Sequence, residues 1–264
     1  MRAFRPLLLF VALLLVIGMA CSTLSGGGGG DTPSQPQQEQ PPAPAPQQVE
    51  TEAPAPVTEE PVATQEPVSQ QYFTEEFDTP LSNDWSILTV ADSSKADPDK
   101  VTVDVKDGNL VWDFNSEYLY YYLFYNAFSY EDVTVSVRAD NRGKNNNNVS
   151  LICRYDPEVG WYEFNIANNG LYNIFYAEIT SNKKISWNRI INGGSNSIKQ
   201  GKDVNEYSIT CKGQDLTLNI NGDEVKTITE KNYRLRKGGI GVSVSSFNVL
   251  PILVDMDWLK VSEP

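Results

Sequence analysis

From Tyr72 onward the chain alternates between short apolar runs and turn signals, and this rhythm constrains the fold more than any other feature. The runs are rich in Val, Ile, Tyr and Phe, and amphipathic helical spacing of any length is absent. The turn signals combine Gly with Asn, Asp or Gly: Asp107-Gly108, Asn168-Asn169-Gly170, Asn192-Gly193-Gly194, Asn221-Gly222 and Gly238-Gly239. Roughly a dozen strands without intervening helices predict an all-β domain over 72–264, two antiparallel sheets forming a jelly-roll sandwich. An up-and-down barrel is the alternative fold.

Side-chain alternation within the predicted strands indicates which residues face the core. Two strands show it most clearly: Val133, Val135 and Val137 alternate with polar residues, and Leu151, Cys153 and Tyr155 alternate with Ser150, Ile152 and Arg154. Cys211 also has an apolar neighbour two residues away, Ile209, so Cys153 and Cys211 are both expected to point into the core. In an exported protein such a pair is a disulfide candidate. Two separate buried thiols are the alternative.

The first twenty residues have the pattern of a secretory signal peptide. Arg2 and Arg5 precede the apolar stretch 6–17, which is short of the ~20 residues that a spanning helix needs. The segment ends in Gly18-Met19-Ala20-Cys21 and resembles a bacterial lipobox, although Gly18 stands where such motifs usually have Leu. The resemblance implies that Cys21 is lipidated and becomes the mature N-terminus. A plain cleaved signal with an incidental cysteine is the alternative.

Residues 21–71 are predicted to be a disordered linker. The segment begins with a run of glycines at 26–30 and continues with Pro, Gln, Ala, Thr and Glu, without Lys or Arg. Such a composition buries too little apolar surface to offset the loss of chain entropy. We therefore expect a lipid-anchored protein on the extracytoplasmic side of the cell membrane, at the cell surface or in the periplasm, with one domain held away from the bilayer.

The composition excludes several classes of function. The chain has no histidine, which removes Ser-His-Asp and Cys-His catalysis and histidine-ligated zinc. There is no glycine-rich phosphate loop. Lys and Arg total 21 against 34 for Asp and Glu, and a net charge of -13 argues against a nucleic-acid partner.

A series of motifs in a fixed order resembles a known family. They are Glu75-Glu76-Phe77-Asp78 with Trp85, Asp107-Gly108-Asn109-Leu110, Cys153-Arg154-Tyr155, Trp161-Tyr162-Glu163-Phe164 with Gly170-Leu171-Tyr172, Cys211-Lys212-Gly213 with Leu216 to Gly222, Gly239-Ile240-Gly241, and Asp257-Trp258-Leu259-Lys260-Val261. The pattern is similar to concanavalin A-like, laminin-G-like jelly rolls of bacterial surface lipoproteins and of the 3-keto-disaccharide hydrolase domain family. It covers nearly all of 72–264 and contains no catalytic signature, so it implies a fold more than an activity.

The resemblance also implies a structural calcium ion, because folds of this type often hold one where the terminal strands meet. Asp78, Asp255 and Asp257 are the candidate ligands, since hard cations take carboxylate oxygens. The alternative is that Asp255 and Asp257 are ordinary solvent-facing strand residues.

Catalysis by carboxylates is compatible with the missing histidine. However, the Glu-x-Asp-x-x-Glu motif of jelly-roll glucanases does not occur, and Glu163 stands alone on its strand. A binding function is better supported, because the aromatic run 118–125 puts rings on both faces of one strand. Rings that stack on sugar, with polar neighbours that bond its hydroxyls, make a glycan site. The candidate residues are Tyr120, Tyr122, Arg154, Trp161, Glu163, Asn165, Tyr176 and Trp187.

Together these patterns predict a lipoprotein that displays a jelly-roll domain without catalytic residues, and we expect this domain to bind a polysaccharide or other glycan. Two other functions stay open: a glycoside hydrolase of the 3-keto-disaccharide type, with two carboxylates across the concave face, and a protein-protein adhesion module, with an exposed apolar patch.

Overall fold

The computed structural model describes residues 69–144 and 147–264, which form two packed antiparallel β-sheets. The predicted signal peptide, Cys21 and the linker up to residue 68 lie outside the described residues. Across the described ranges, no helix has the length and apolar character needed to cross a membrane.

The first sheet contains eight strands in the described part of the chain. In spatial order they are β13 (Asp223–Thr229), β12 (Asp215–Ile220), β11 (Val204–Lys212), β6 (Val133–Asn141), β15 (Ile252–Ser262), β4 (Asn109–Phe114) and β3 (Val101–Lys106), with β1 (Phe73–Glu75) paired to β15.

The second sheet contains seven strands in the same ranges. Their order is β10 (Ile185–Gly194), β9 (Leu171–Ile179), β8 (Gly160–Ala167), β7 (Asn147–Asp156), β14 (Gly238–Ser246), β5 (Leu119–Tyr130) and β2 (Trp85–Ala91). A 3-10 turn at Pro98–Lys100 precedes β3. The two sheets confirm the predicted all-β jelly-roll sandwich.

The main core lies between the sheets and follows the predicted alternation. On β6, Val133, Val135 and Val137 are fully buried, while the intervening residues are half-buried. Cys153 on β7 and Cys211 on β11 meet across the core and form a disulfide, which confirms the predicted pairing. This bond links the two sheets covalently.

Two kinds of predicted turn behave differently. Asn221 and Gly222 both have positive φ, 52° and 87°, and connect β12 to β13 as the two-residue hairpin predicted. The signal at Asn192-Gly193-Gly194 is wrong as a turn, because these residues belong to β10. The missing side chain of Gly193 instead makes room for Tyr172, because a Cβ at this position would lie 2.5 Å from the Tyr172 hydroxyl oxygen.

The alternation predicted for the end of β7 is also wrong. Arg154 has φ 56°, and the pairing of β7 with β8 shifts register between Cys153 and Asp156. Such a bulge reverses which face the following side chain takes. Tyr155 therefore packs on the outer face of the second sheet, stacked on Phe124 with ring centroids 3.6 Å apart, and not beside Cys153 in the core.

Candidate functional site

The outer face of the second sheet has a hydrophobic cluster of its own, here called the outer cluster. Its buried members are Tyr122, Phe124, Ile152, Trp161 and Ala177. Half-buried side chains from the two edge strands cover it, among them Leu88 and Val90 of β2 and Ile185 and Trp187 of β10. Tyr122 is therefore wrong as a ring that a sugar could contact, since Tyr122 and its neighbour Phe124 are both fully buried.

Glu163 is a buried carboxylate at the border of the outer cluster, with 1% of its surface exposed. Its neutral donors come from four strands: Ser150 Oγ at 2.9 Å, Tyr122 Oη at 3.1 Å, Trp161 Nε1 at 3.2 Å, and Asn165 Nδ2 and Trp187 Nε1 at 3.4 Å. Burial of a carboxylate is costly unless hydrogen bonds satisfy it, and here both oxygens accept several. No Lys or Arg pairs with Glu163 among the described ion pairs.

A recess of about 230 Å³ opens beside Glu163 and is called the amide recess below. It is lined by Tyr120, Asn148, Glu163, Asn165, Asn173, Phe175, Trp187 and Phe247. Tyr120 stacks on Trp187 with ring centroids 5.1 Å apart, and Phe247 meets Tyr120 edge-on at 6.4 Å. The recess thus combines aromatic rings with three side-chain amides.

The amides lie in the recess because the sheet register aligns them. Ser150, Asn165 and Asn173 are direct cross-strand partners on β7, β8 and β9. Asn165 donates to Ser150 Oγ at 3.0 Å as well as to Glu163, so its orientation is fixed. Among the hydrogen bonds of residues 69–144 and 147–264, none involves the side chain of Asn148 or Asn173, and both side chains line the recess.

Two tyrosine hydroxyls beside Glu163 stay protonated over the physiological range. Burial, with the nearby charges of Asp92 and Glu163, raises the pKa of Tyr120 to about 12. Burial, followed by the charge of Glu163, also raises the pKa of Tyr122 well above its ordinary value. Both hydroxyls are therefore neutral donors near pH 7.

The structure brings together six of the eight predicted ligand-binding residues. Tyr120, Glu163, Asn165 and Trp187 line the amide recess, while Tyr122 and Trp161 lie behind them. Because Tyr122 and Trp161 are fully buried, they can only support the site by bonding Glu163.

The remaining two, Arg154 and Tyr176, lie elsewhere. The Arg154 side chain donates to the carbonyl oxygens of Glu131, Gly213 and Leu235, because the β7 bulge turns it away from the outer face. Tyr176 faces the main core and stacks on Tyr233, with ring centroids 4.2 Å apart.

Sequence reasoning missed four recess residues: Asn148, Asn173, Phe175 and Phe247. Asn173 and Phe175 alternate along β9, which was a usable signal for one shared face. The pairing register that places them next to Asn165 is a long-range property and is not visible in a single strand. Phe247 follows β14, where no alternation indicates its direction.

The three predicted calcium ligands do not converge. Asp255 pairs with Arg142 and Asp257 with Arg138, so each carboxylate already has a cationic partner. Over residues 69–144 and 147–264, no group of three or more acidic, histidine or cysteine side chains is arranged to hold a metal ion. These residues do not fit the implied calcium site.

Comparison with protein families decides the identity of the domain. Residues 73–249 match the model of the 3-keto-alpha-glucoside-1,2-lyase-like domain. The chain belongs to this family. The match confirms the predicted resemblance to the 3-keto-disaccharide hydrolase domain family, and it covers every strand that lines the amide recess. A search of curated protein sequences found no match to this member of the family.

Jelly-roll glucanases are among the solved structures that are similar to this chain. A Bacillus licheniformis beta-glucanase is 12% identical, with 75% of this chain and 100% of that chain covered and a TM-score of 0.52. A Bacteroides ovatus mixed-linkage glucan GH16 protein, in complex with an oligosaccharide product, is 12% identical over 72% of this chain and 99% of that chain, with a TM-score of 0.52. A lichenase from a mouse hindgut metagenome is 13% identical over 73% of this chain and 99% of that chain, also with a TM-score of 0.52. At these identities the likeness shows the fold alone.

Proposed function

We propose that this protein is an extracytoplasmic lipoprotein whose jelly-roll domain binds a glycan, without catalysis, in the amide recess. The observation that carries the proposal is the combination of stacked aromatic rings and partner-free amides around one recess on the outer face of the second sheet. The Bacteroides ovatus structure, which holds an oligosaccharide product, supports a glycan ligand by analogy.

The lining chemistry suits a sugar. The apolar face of a pyranose packs against aromatic rings such as Trp187 and Phe175, while its hydroxyls need both donors and acceptors. Side-chain amides such as Asn148 and Asn173 supply both. A volume of about 230 Å³ is below the roughly 300 Å³ at which pockets for drug-sized ligands begin. The recess therefore fits one sugar unit, with the rest of a longer glycan outside it.

The number of carboxylates in the amide recess and their hydrogen bonds favour a binding function over hydrolysis. Glycosidases use two carboxyl groups flanking the scissile bond. Within the amide recess Glu163 is the one acidic side chain among the lining residues, and its oxygens already accept from five neutral donors. A carboxylate so fully bonded is suited to fixing its neighbours in place.

A glycan-binding screen with purified domain 69–264 tests this function. We expect at least one glycan to bind the wild type, and Trp187→Ala to weaken that binding by about tenfold or more, as loss of one stacked aromatic anchor does. Tyr233→Ala is the matched control, because Tyr233 is an exposed aromatic residue outside the recess, and its binding should equal the wild type. The absence of binding to any glycan at millimolar concentration would reject the proposal.

A second candidate function is an enzyme acting on 3-keto-glycosides. The family match favours it, and Trp187 lines one recess with Glu163 and a second with Asp92. Incubation with a 3-keto-disaccharide, followed by mass spectrometry, tests the enzyme. If the wild type forms product and neither Asp92→Asn nor Glu163→Gln does, the protein is an enzyme and the non-catalytic proposal is overturned.

The lipid anchor is tested separately. In a bacterial host fed an alkyne-labelled fatty acid, the full chain should acquire the label and partition with membranes. Cys21→Ser should be unlabelled, whereas the same label on Cys21→Ser would reject lipidation at this residue.

A further inference from the structure

The loop 231–237, which connects β13 to β14, is strongly basic in a chain whose net charge is -13. It contains no carboxylate and four cationic side chains: Lys231, Arg234, Arg236 and Lys237. All four are exposed, and none of them belongs to an ion pair among the residues that the structure describes. We call this segment the basic loop. Its charges are available to an anionic partner.

Buried groups beneath the basic loop hold its backbone in one conformation. The carboxylate of Glu230, 3% exposed, accepts hydrogen bonds from the backbone N–H groups of residues 232–234. The N–H of Leu235 donates to Tyr162 Oη at 3.1 Å, and the Leu235 carbonyl oxygen accepts from Arg154 at 2.9 Å. Because the backbone is already ordered, binding a partner costs little backbone entropy.

Two exposed apolar side chains lie beside these cations. Tyr233, 37% exposed, is part of the basic loop and stacks on Tyr176 with ring centroids 4.2 Å apart. The Tyr176 hydroxyl donates to the carbonyl oxygen of Val159 at 3.2 Å, and Val159 is 42% exposed. Cations next to exposed aromatic and aliphatic groups are typical of surfaces that adsorb to the interface of an anionic bilayer. A soluble polyanion needs the cations alone.

The linker joins the domain at the same end as the basic loop. Antiparallel pairing places the loops that follow β5, β7, β9, β11 and β13 at one end of the sandwich, called the linker end below. The Gln71 carbonyl oxygen accepts from Tyr130 Oη at 2.6 Å, and Tyr130 pairs with Gly238, the residue directly after the basic loop. The amide recess lies toward the opposite end, since its lining residues Asn148 and Asn173 are near the starts of β7 and β9.

The other charged side chains of the linker end do not cancel the charge of the basic loop. Three more exposed cations lie in or next to neighbouring loops: Lys183, Lys184 and Lys212. The exposed acidic side chains there are Glu131, Glu158, Asp215 and Glu263, and the half-buried ones are Asp132 and Asp156. Glu158 pairs with Lys183, and Asp132 pairs with the buried Arg154. Exposed cations therefore outnumber exposed acidic side chains at this end, although the chain as a whole is acidic.

We propose that the basic loop binds the anionic headgroups of a phospholipid bilayer, with Tyr233 and Val159 in the headgroup layer. The domain then lies with its linker end on the membrane, and the amide recess faces away from the bilayer. The choice of a membrane partner rests on the proposed lipid anchor, but the affinity of the loop for anionic lipid does not depend on that anchor. Each Lys or Arg near such a surface strengthens binding about fivefold.

The test is co-sedimentation of the purified chain 22–264, which carries no lipid, with vesicles of two compositions. One is phosphatidylcholine alone, and the other is an equimolar mixture of phosphatidylcholine and phosphatidylglycerol. We expect the anionic vesicles to bind about tenfold or more tightly than the neutral ones. Raising the salt from about 0.1 M to about 1 M should remove most of this preference, because the screening length falls from about 10 Å to about 3 Å.

A pair of double variants assigns the binding to the basic loop. Lys231→Gln with Lys237→Gln removes two cations of the loop and should weaken binding to the anionic vesicles by about 25-fold. Lys144→Gln with Lys202→Gln is the matched control, because it removes two exposed cations at the opposite end of the sandwich. Its binding should stay within about twofold of the wild type. Thermal unfolding of each variant checks that the domain is intact.

Tyr233→Ala separates a membrane from a soluble polyanion. This variant should bind the anionic vesicles more weakly than the wild type, since it loses a side chain from the headgroup layer. Its binding to soluble polyphosphate, which has no apolar layer, should equal the wild type. If Tyr233→Ala binds the vesicles normally and polyphosphate binds the wild type as tightly as the vesicles do, the partner is a soluble polyanion and the membrane proposal is wrong.

The remaining outcomes separate this inference from the lipid anchor. Equal binding to neutral and anionic vesicles, or equal weakening in the two double variants, overturns the inference. If Cys21 acquires no fatty acid but the chain 22–264 binds anionic vesicles through the basic loop, the anchor fails and the inference stands. If Cys21 is lipidated and the chain 22–264 does not bind anionic vesicles, the anchor stands and the inference fails.

Discussion

The indole of Trp187 on β10 stacks on the ring of Tyr120 on β5, although four strands lie between β10 and β5 in the sheet. In a flat sheet, five strand spacings of about 4.8 Å would place these strands roughly 24 Å apart. Ring centroids 5.1 Å apart therefore require the second sheet to curl strongly around its outer face. This curvature buries the outer cluster.

Substitutions at Trp187 should separate two contributions to stability: the stacking on Tyr120 and the hydrogen bond to Glu163. Trp187→Phe keeps a ring on Tyr120 and loses the 3.4 Å hydrogen bond, so it should lower the free energy of unfolding by about 1 kcal/mol. Trp187→Ala also removes the aromatic surface over the outer cluster and should lower it by about 3 kcal/mol. Urea unfolding measures both values.

Leu171→Ala is the control for this series, because Leu171 is 53% exposed on the neighbouring strand β9. Its unfolding free energy should stay within about 0.5 kcal/mol of the wild type. An equal decrease in the free energy of unfolding for Trp187→Phe and Trp187→Ala would contradict a structural role for the stacked pair.

The disulfide between Cys153 and Cys211 should account for a large share of the stability. It closes a loop with a sequence separation of 58 residues, for which the chain-entropy model gives about 4 kcal/mol. The double variant Cys153→Ala with Cys211→Ala should lose at least that amount, since two buried side chains are also truncated. Reductant should destabilise the wild type and leave the double variant unchanged, and denaturant unfolding with and without dithiothreitol checks both statements.

The fold was accessible from the sequence because its signals are local. Val133, Val135 and Val137 alternate within one strand, and Asn221-Gly222 specifies its own hairpin. The positions of Cys153 and Cys211 followed from the same alternation, and the pairing needed one further premise, export to an oxidising compartment.

The candidate site was accessible only in part because it depends on register and on one bulge. Trp161, Glu163 and Asn165 share a face of β8 as alternation predicts, and three of the site's aromatic residues were identified from composition. Arg154 breaks the alternation of β7 through its positive φ, which no local residue pattern announces. The curl that buries Tyr122 is a property of the whole sheet and has no signature in any one strand.

Arg154 should prove to be a structural residue with no role in binding. Its guanidinium, 1% exposed, bonds three carbonyl oxygens from separate loops. Arg154→Met should lower the free energy of unfolding by about 3 kcal/mol, because hydrogen bonds to a charged group are worth more than neutral ones and three carbonyls lose their donor. Glycan affinity, measured at a temperature where the variant is folded, should equal the wild type.

Arg142→Met is the matched control, since the Arg142 side chain is 47% exposed and pairs with Asp255 near the surface. Such pairs contribute about 1 kcal/mol or less. A similar decrease in the free energy of unfolding for Arg154→Met and Arg142→Met would contradict the structural role of Arg154. A weaker glycan affinity of Arg154→Met would show that Arg154 takes part in binding.

Glu230 should make the domain sensitive to acid. Burial acts to raise its pKa, but hydrogen bonds outweigh burial and lower it below the ordinary 4.5: Tyr162 Oη donates at 2.5 Å, and the backbone N–H groups of Asn232, Tyr233 and Arg234 donate at 2.5 to 3.1 Å. A carboxyl group whose pKa is lower in the folded state stabilises the fold fully above the unfolded pKa. That contribution is lost as the pH falls through the folded value.

The comparison of wild type with Glu230→Gln isolates this effect from other acids. Burial raises the pKa of Glu75 and Asp255, so their contributions change with the opposite sign, but they are present in both proteins and cancel in the difference. Above about pH 4.5 the wild type should have a higher free energy of unfolding than Glu230→Gln. This difference in free energy, the stability gap, should narrow steadily at lower pH. Denaturant midpoints from pH 7 to pH 3 measure the gap, with Glu263→Gln at the exposed C-terminal end as the control that should follow the wild type. A gap that stays constant over this range would mean that the Glu230 carboxylate does not hold the 232–234 loop through its charge.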